Sequence, residues 1–168
     1  SAAPSKILHL YDTFEGLPYE EKEYGHKKGD FCCSLDEVKE NLKGCNVEYH
    51  PGIFPSTAQD KKYCFVHLDA DQYQSTKDGI EFFWPRIVDG GILTIDDTSN
   101  FQTLGVRKAL IEYFKDMEVG VHHNSVHICK NSKVSFSELD YLYEGRKLFP
   151  EDPAIKAETS YASCRLER

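Results

Sequence analysis

Short apolar runs alternate with stretches of helical spacing along this chain. Residues 6–11, carrying Ile7, Leu8, Leu10 and Tyr11, read as a strand, as do Val47 to His50, Tyr63 to Leu68 and Ile92 to Ile95, all rich in β-branched, aromatic or leucine residues. Ser34-Leu35-Asp36-Glu37 has the form of a capping box, with Ser at the N-cap and Glu three positions on, and predicts a helix to about Leu42 that stops before Gly44. Ser75 to Asp78 opens a second helix with Ile80, Phe83 and Trp84 on one face, ending near Pro85. Leu104 to Lys115 reads as a third, with Leu104, Ala109, Ile111 and Phe114 as its apolar stripe. Val88-Asp89-Gly90-Gly91 reads as a turn, Glu118 to His123 and Ser125 to Lys130 as two antiparallel strands about Asn124, and Ser135 to Leu148 as a last helix. Residues 12–18 and 19–30 read as loops, the second polar and exposed. This order predicts an α/β sheet, mostly parallel, with an antiparallel C-terminal hairpin. Phe65, Leu68, Ile92, Leu93 and Ile95 are its expected core, covered by Ile80 and Trp84.

The length, 168 residues, suits one domain with a core of its own, expected over 1–148, with 149–168 as a polar tail. The net charge of −8 argues against nucleic acid as a partner, which needs a basic face. No apolar run approaches the roughly 20 residues of a membrane span, so no membrane partner is expected either. The start, Ser1-Ala2-Ala3-Pro4-Ser5, has neither the basic nor the apolar region of a signal peptide and leads at once into a strand, so the chain reads as cytoplasmic, and either its first residue or so is foreign to the protein or the chain is a piece of a longer gene. The six cysteines, Cys32, Cys33, Cys45, Cys64, Cys129 and Cys164, form no C-x-x-C pair and read as reduced and structural, Cys64 and Cys129 lying inside apolar runs.

Two aspartate clusters carry the candidate chemistry. Asp69-Ala70-Asp71 ends one apolar run and Asp96-Asp97 ends another. Adjacent parallel strands would bring these carboxylates to one rim of the sheet, where open α/β sheets hold their ligands. Crowded carboxylates repel unless a positive charge lies between them, and a hard divalent cation such as Mg²⁺ is the natural candidate. The bland alternatives are capping of the following helix by Asp69 and Asp71, and a solvated turn at Asp96-Asp97. By the same reasoning Asp12 and Glu15 read as turn or cap residues. His122, His123 and His127 scatter over both faces of their strands with no cysteine at ligand spacing, which gives zinc no support. The sequence holds no phosphate-binding P-loop, no G-x-S-x-G and no G-x-G-x-x-G.

Taken together, Tyr11-Asp12-Thr13-Phe14-Glu15-Gly16-Leu17-Pro18, Phe65 to Lys77 with Leu68-Asp69-Ala70-Asp71-Gln72-Tyr73-Gln74-Ser75-Thr76, Phe83-Trp84-Pro85-Arg86-Ile87 with Gly90-Gly91, and Ile95-Asp96-Asp97 resemble, in this order, the motifs of the macrocin O-methyltransferase (TylF-like) family. The likeness covers roughly residues 7 to 115. It implies a Rossmann-like class I methyltransferase sheet and S-adenosylmethionine-dependent, metal-assisted methylation of a hydroxyl on a sugar-like small molecule. By position it implies Asp69, Asp96 and Asp97 as metal ligands and Asp71 as the base at the acceptor hydroxyl. It also implies that Asp12, Phe14, Glu15 and Gly16, with Asp69, lie beside the cofactor. The family's glycine-rich N-terminal strand–helix unit is missing before residue 6. S-adenosylmethionine binding by this chain is therefore expected to be weak or absent, and the sheet is expected to open between the strands at 6–11 and 63–68 or to find a new pairing, as in a homo-oligomer. Two other functions fit parts of the pattern: a truncated, non-catalytic methyltransferase-like interaction module, and a metal-dependent glycosyltransferase using its D-x-D.

Overall fold

A computed structural model of the chain describes residues 6–114, 118–122, 124–131 and 164–165. The chain divides into two compact units, Ser1–Asp60 and Lys61–Arg168. The expected helix over 135–148 lies outside the described residues, as does most of the 149–168 tail.

In the first unit, strands β1 (Leu8–Asp12) and β2 (Val47–Pro51) pair in parallel, in register from Leu8 opposite Val47 to Asp12 opposite Pro51. The connection holds helix α1 (Leu35–Asn41), which starts at the expected capping box. The Ser34 hydroxyl accepts from the Glu37 N–H at 3.3 Å, and the Glu37 carboxylate accepts from the Ser34 N–H at 3.1 Å. Two donors at the helix start are thereby satisfied without tertiary help, which makes this element legible from four residues. The 12–18 loop is tied down by its own side chains. Asp12 Oδ1 accepts from the Phe14 N–H at 2.7 Å, and the Thr13 hydroxyl donates to the Gly16 carbonyl at 2.6 Å. Gly16 has φ +85°, and a Cβ there would lie 2.4 Å from the Gly29 carbonyl oxygen, so neither the conformation nor the close approach admits a side chain. The 19–30 stretch is mostly exposed as expected. It is nonetheless ordered, through a Glu21–His26 bridge and a Leu17–Asp30 hydrogen bond of 2.9 Å.

In the second unit, β3 (Tyr63–Leu68) pairs in parallel with β4 (Ile87–Ile95), and β4 pairs antiparallel with β6 (Ser125–Cys129). Strand β6 pairs antiparallel with β5 (Glu118–His122), and β5 with the short β7 (Cys164–Arg165). The sheet order is β3-β4-β6-β5-β7. The strands thus form two sheets, β1-β2 in the first unit and β3-β4-β6-β5-β7 in the second.

Helix α2 (Tyr73–Phe83) packs on β3 and on α3 (Leu104–Tyr113). A Cβ on Gly79 would come within 2.5 Å of a Leu68 methyl, so the missing side chain lets α2 approach β3. Ile80, Leu93, Ile95, Leu110, Val126 and Ile128 are fully buried around this contact. Trp84, half-buried, meets Phe114 edge to face at 4.9 Å.

Four sequence expectations need correction. Phe65 is 58% exposed rather than core. Val66 and Leu68 point to the face that α2 covers, and alternation sends Phe65 and His67 to the other. Cys64 is likewise exposed and Cys129 half-buried, so neither is the fully buried thiol expected; Cys32, Cys33, Cys45, Cys64 and Cys129 are free. Val88 to Gly91 lies inside β4 rather than in a turn, because the Gly90 N–H and Gly91 carbonyl bond across to Lys130 at 2.7 and 2.9 Å and carry the strand through a register shift. The buried stripe of α3 is Val106, Ala109, Leu110 and Phe114, a better match to a 3.6-residue period; Leu104 is 45% exposed.

Candidate active site

Parallel pairing of β3 with β4 sets Leu68 opposite Ile95, and the Asp96 N–H extends the ladder by donating to the Leu68 carbonyl at 2.9 Å. Asp69 and Asp96 therefore leave the same end of adjacent strands. The next aspartate in each cluster turns the chain: Asp71 and Asp97 have φ of 54° and 58°. Aspartate is among the few side chains that tolerate this left-handed region, so the two reversals that end the strands also cluster the acids. Carboxylate oxygens of Asp69, Asp71 and Asp97 lie within 4.8 Å of one another, and so do donor atoms of His67, Asp69 and Asp96. All four predicted aspartates meet at one rim.

The capping alternative for the first cluster does not hold. Gln72 is the N-cap of α2 with no side-chain capping bond, and no acid occupies the helix's first turn. The second cluster is held from the β5–β6 turn. Ser125 Oγ donates to Asp96 Oδ1 at 2.5 Å, and the Asn124 side-chain amide donates to Asp97 Oδ1. Asn124 is fixed in turn: its carbonyl oxygen accepts from the Thr98 N–H at 2.8 Å, and its side-chain oxygen accepts from Ser99 Oγ at 2.8 Å. Thr103 Oγ donates to the Asp97 carbonyl at 2.6 Å. Each acid of the second cluster thus keeps one oxygen anchored by neutral donors, a common way to aim a ligand.

The electrostatic result falls on Asp71. Partial burial, a hydrogen bond shared with Asp97 and the charges of Asp69, Asp97 and Asp96 push its carboxyl up to about 7. Oxygen-rich donors with one adjacent imidazole are the donor types that hard or borderline divalent cations take.

His67, Asn124 and Ser125 are site residues that sequence reasoning missed. His67 was findable, since residues two apart on a strand share a face and His67 stands two before Asp69. Asn124 and Ser125 reach the rim only through the antiparallel β4–β6 pairing, which no local pattern reveals.

The Asp12, Phe14, Glu15 and Gly16 loop belongs to the first unit. Phe14 is buried, and Asp12 and Glu15 are exposed. The loop borders a cleft of about 510 Å³ lined by Glu15, Gly16, Leu17, Lys28, Gly52 and Ile53. That volume is in the range of small-molecule sites.

The α/β fold is that of known O-methyltransferases. The O-methyltransferase NovP superposes with a TM-score of 0.62 at 21% identity, covering 76% of this chain and 61% of NovP. The calicheamicin methyltransferase CalS11 superposes with a TM-score of 0.62 at 15% identity, covering 78% of this chain and 63% of CalS11. An apo structure of CalS11, described as a TDP-rhamnose 3'-O-methyltransferase, gives a TM-score of 0.56 at 14% identity over 78% of this chain and 62% of its own. Residues 1–131 match the macrocin-O-methyltransferase (TylF) family, and the chain belongs to that family. A curated relative from Streptomyces olivaceus is the 8-demethyl-8-(2,3-dimethoxy-alpha-L-rhamnosyl)-tetracenomycin-C 4'-O-methyltransferase. It is 31% identical over 110 residues, 55% of this chain and 42% of the relative. The chain thus spans less than half the length of that relative.

Proposed function

We propose that this chain carries the acceptor and metal side of an S-adenosylmethionine-dependent O-methyltransferase that acts on a sugar hydroxyl. The observation that carries the reading is the convergence of Asp69, Asp71, Asp96 and Asp97 at one rim, in a chain of the TylF family. The rhamnosyl group in the Streptomyces olivaceus relative's name and the TDP-rhamnose in the CalS11 description make a deoxysugar hydroxyl the favoured acceptor class.

Asp69, Asp96 and Asp97 would hold a divalent cation, with His67 adjoining. When bound, that cation supplies Lewis-acid polarisation of the acceptor oxygen. Asp71, whose carboxyl is pushed up to about 7 by partial burial, its hydrogen bond with Asp97 and the neighbouring acids, accepts the acceptor's hydroxyl proton. Asn124 and Ser125 orient Asp97 and Asp96 by donating to one oxygen of each. In the first unit, the Asp12–Gly16 loop and its cleft would receive part of the cofactor, with Asp12 and Glu15 as exposed acceptors for hydroxyls.

The test is transfer of a labelled methyl group from S-adenosylmethionine, at high cofactor concentration with Mg²⁺, to rhamnosides and nucleotide-linked deoxysugars. Transfer to a sugar hydroxyl that falls about 10²- to 10⁴-fold in Asp71→Asn is expected. Transfer at an unchanged rate in Asp71→Asn would remove the base role. Transfer to nitrogen acceptors alone would overturn the hydroxyl assignment.

A further inference from the structure

A second cluster of donor atoms lies in the first unit, on the strand pair β1–β2. The parallel register sets His9 opposite Glu48 and Tyr11 opposite His50, so alternation brings His9, Tyr11, Glu48 and His50 to one face. His9 Nδ1 lies 3.1 Å from His50 Nε2 and 3.3 Å from Glu48 Oε2, and His50 Nε2 lies 3.9 Å from the same Glu48 oxygen. The two imidazoles are nearly buried, at 13% and 11% side-chain exposure, while the Glu48 carboxylate is open to solvent at 44%. We propose that His9, Glu48 and His50 form a binding site for a borderline transition-metal cation, Zn²⁺ in the first instance, distinct from the aspartate rim.

Three features support it. The first is spacing. A tetrahedral ion with bonds of about 2.0–2.1 Å sets its ligand atoms about 3.3–3.4 Å apart, and the three separations bracket that value. The second is donor type. Two imidazole nitrogens and one carboxylate oxygen lie within 4.8 Å of one another, a mixed N/O set of the kind that zinc takes, and one cation would meet all three at once. The third is support from behind. Gln59 Nε2 lies 3.5 Å from His50 Nδ1, and exchanging the amide's nitrogen and oxygen, which are alike in shape, would set the oxygen there instead. With the amide oxygen turned to that nitrogen, Nδ1 carries the proton and Nε2 keeps its lone pair toward His9 and Glu48. Tyr11 stacks on the His50 ring at 4.5 Å and holds its plane. Two imidazoles and one carboxylate leave a fourth position for water or a ligand, and they select Zn²⁺ over Mg²⁺, which prefers oxygen donors.

Isothermal titration with Zn²⁺ alone, paired with NMR of the histidine ring nitrogens, tests the proposal on the whole chain. One equivalent is expected with excess Mg²⁺ present to fill the aspartate rim, shifting His9 Nδ1 and His50 Nε2, and one equivalent is likewise expected in Asp96→Asn/Asp97→Asn. Glu48→Gln, at an exposed position that should not disturb folding, and His50→Gln are each expected to weaken binding more than 10-fold, and Gln59→Ala about 10-fold. Unshifted ring nitrogens overturn the site. So does binding that survives His9→Gln and His50→Gln but is lost in Cys32→Ser/Cys33→Ser, which would assign the ion to the exposed thiols.

Discussion

Replacing Asp71 with Asn should stabilise the metal-free protein, and only above a defined pH. The Asp71 carboxyl titrates near 7 in the folded chain against an ordinary value of 3.8, because of partial burial and three neighbouring carboxylates. The native state then holds a proton more tightly than the unfolded state, so stability is full below about pH 4 and declines as pH rises through about 7. A shift of about three units is equivalent to about 4 kcal/mol as a ceiling, at about 1.4 kcal/mol per unit. The carboxyl is only half-buried, and solvent screening brings the expected cost at about pH 8 to about 1–2 kcal/mol. Asn keeps the shape and can donate to Asp97 as the protonated acid does, but it never carries the charge. Thermal unfolding of both proteins across pH should show Tm values that coincide near pH 4 and diverge above it. At about pH 8 the variant should be higher by about 2–8 °C. Mg²⁺ should shrink the gap, since a bound cation stabilises the ionised rim. A Tm difference that does not vary with pH, or a variant less stable at pH 8, would refute the electrostatic reasoning.

Ile95 has no exposed surface, so Ile95→Ala should cost about 2–5 kcal/mol in urea unfolding; a cost below about 0.5 kcal/mol would undo its place in the core. S-adenosylhomocysteine should bind only weakly in isothermal titration, because the Asp12 loop presents exposed acids at an open cleft and small-molecule affinity depends on burying most of the ligand. Low-micromolar binding would show a cofactor site more complete than that.

Local patterns carried most of the strands and the first helix because their signals are self-contained. Ser34 and Glu37 satisfy each other, and Tyr63 to Leu68 ends at an acid pair wherever the rest of the chain goes. What failed depended on partners far away in sequence. Phe65 looked like core because both faces of a parallel strand are usually covered, yet among the described residues α2 covers the Val66–Leu68 face and Phe65 is 58% exposed. Gly90-Gly91 looked like a turn because its ladder partner, Lys130, lies forty residues on. The four rim aspartates were legible because two strand ends and two acid pairs suffice to predict their meeting. Asn124 and Ser125, which aim two of them, come from the far side of an antiparallel pairing and carry no motif.

The most direct test of the rim as a cation site is titration of the chain with Mn²⁺, followed by electron paramagnetic resonance. One bound equivalent is expected in the wild type, displaced by Mg²⁺ and lost in Asp96→Asn/Asp97→Asn, while that double variant keeps the wild-type circular dichroism spectrum. Absence of binding in the wild type, or binding of equal affinity in the double variant, would contradict a metal-binding role for the carboxylate rim.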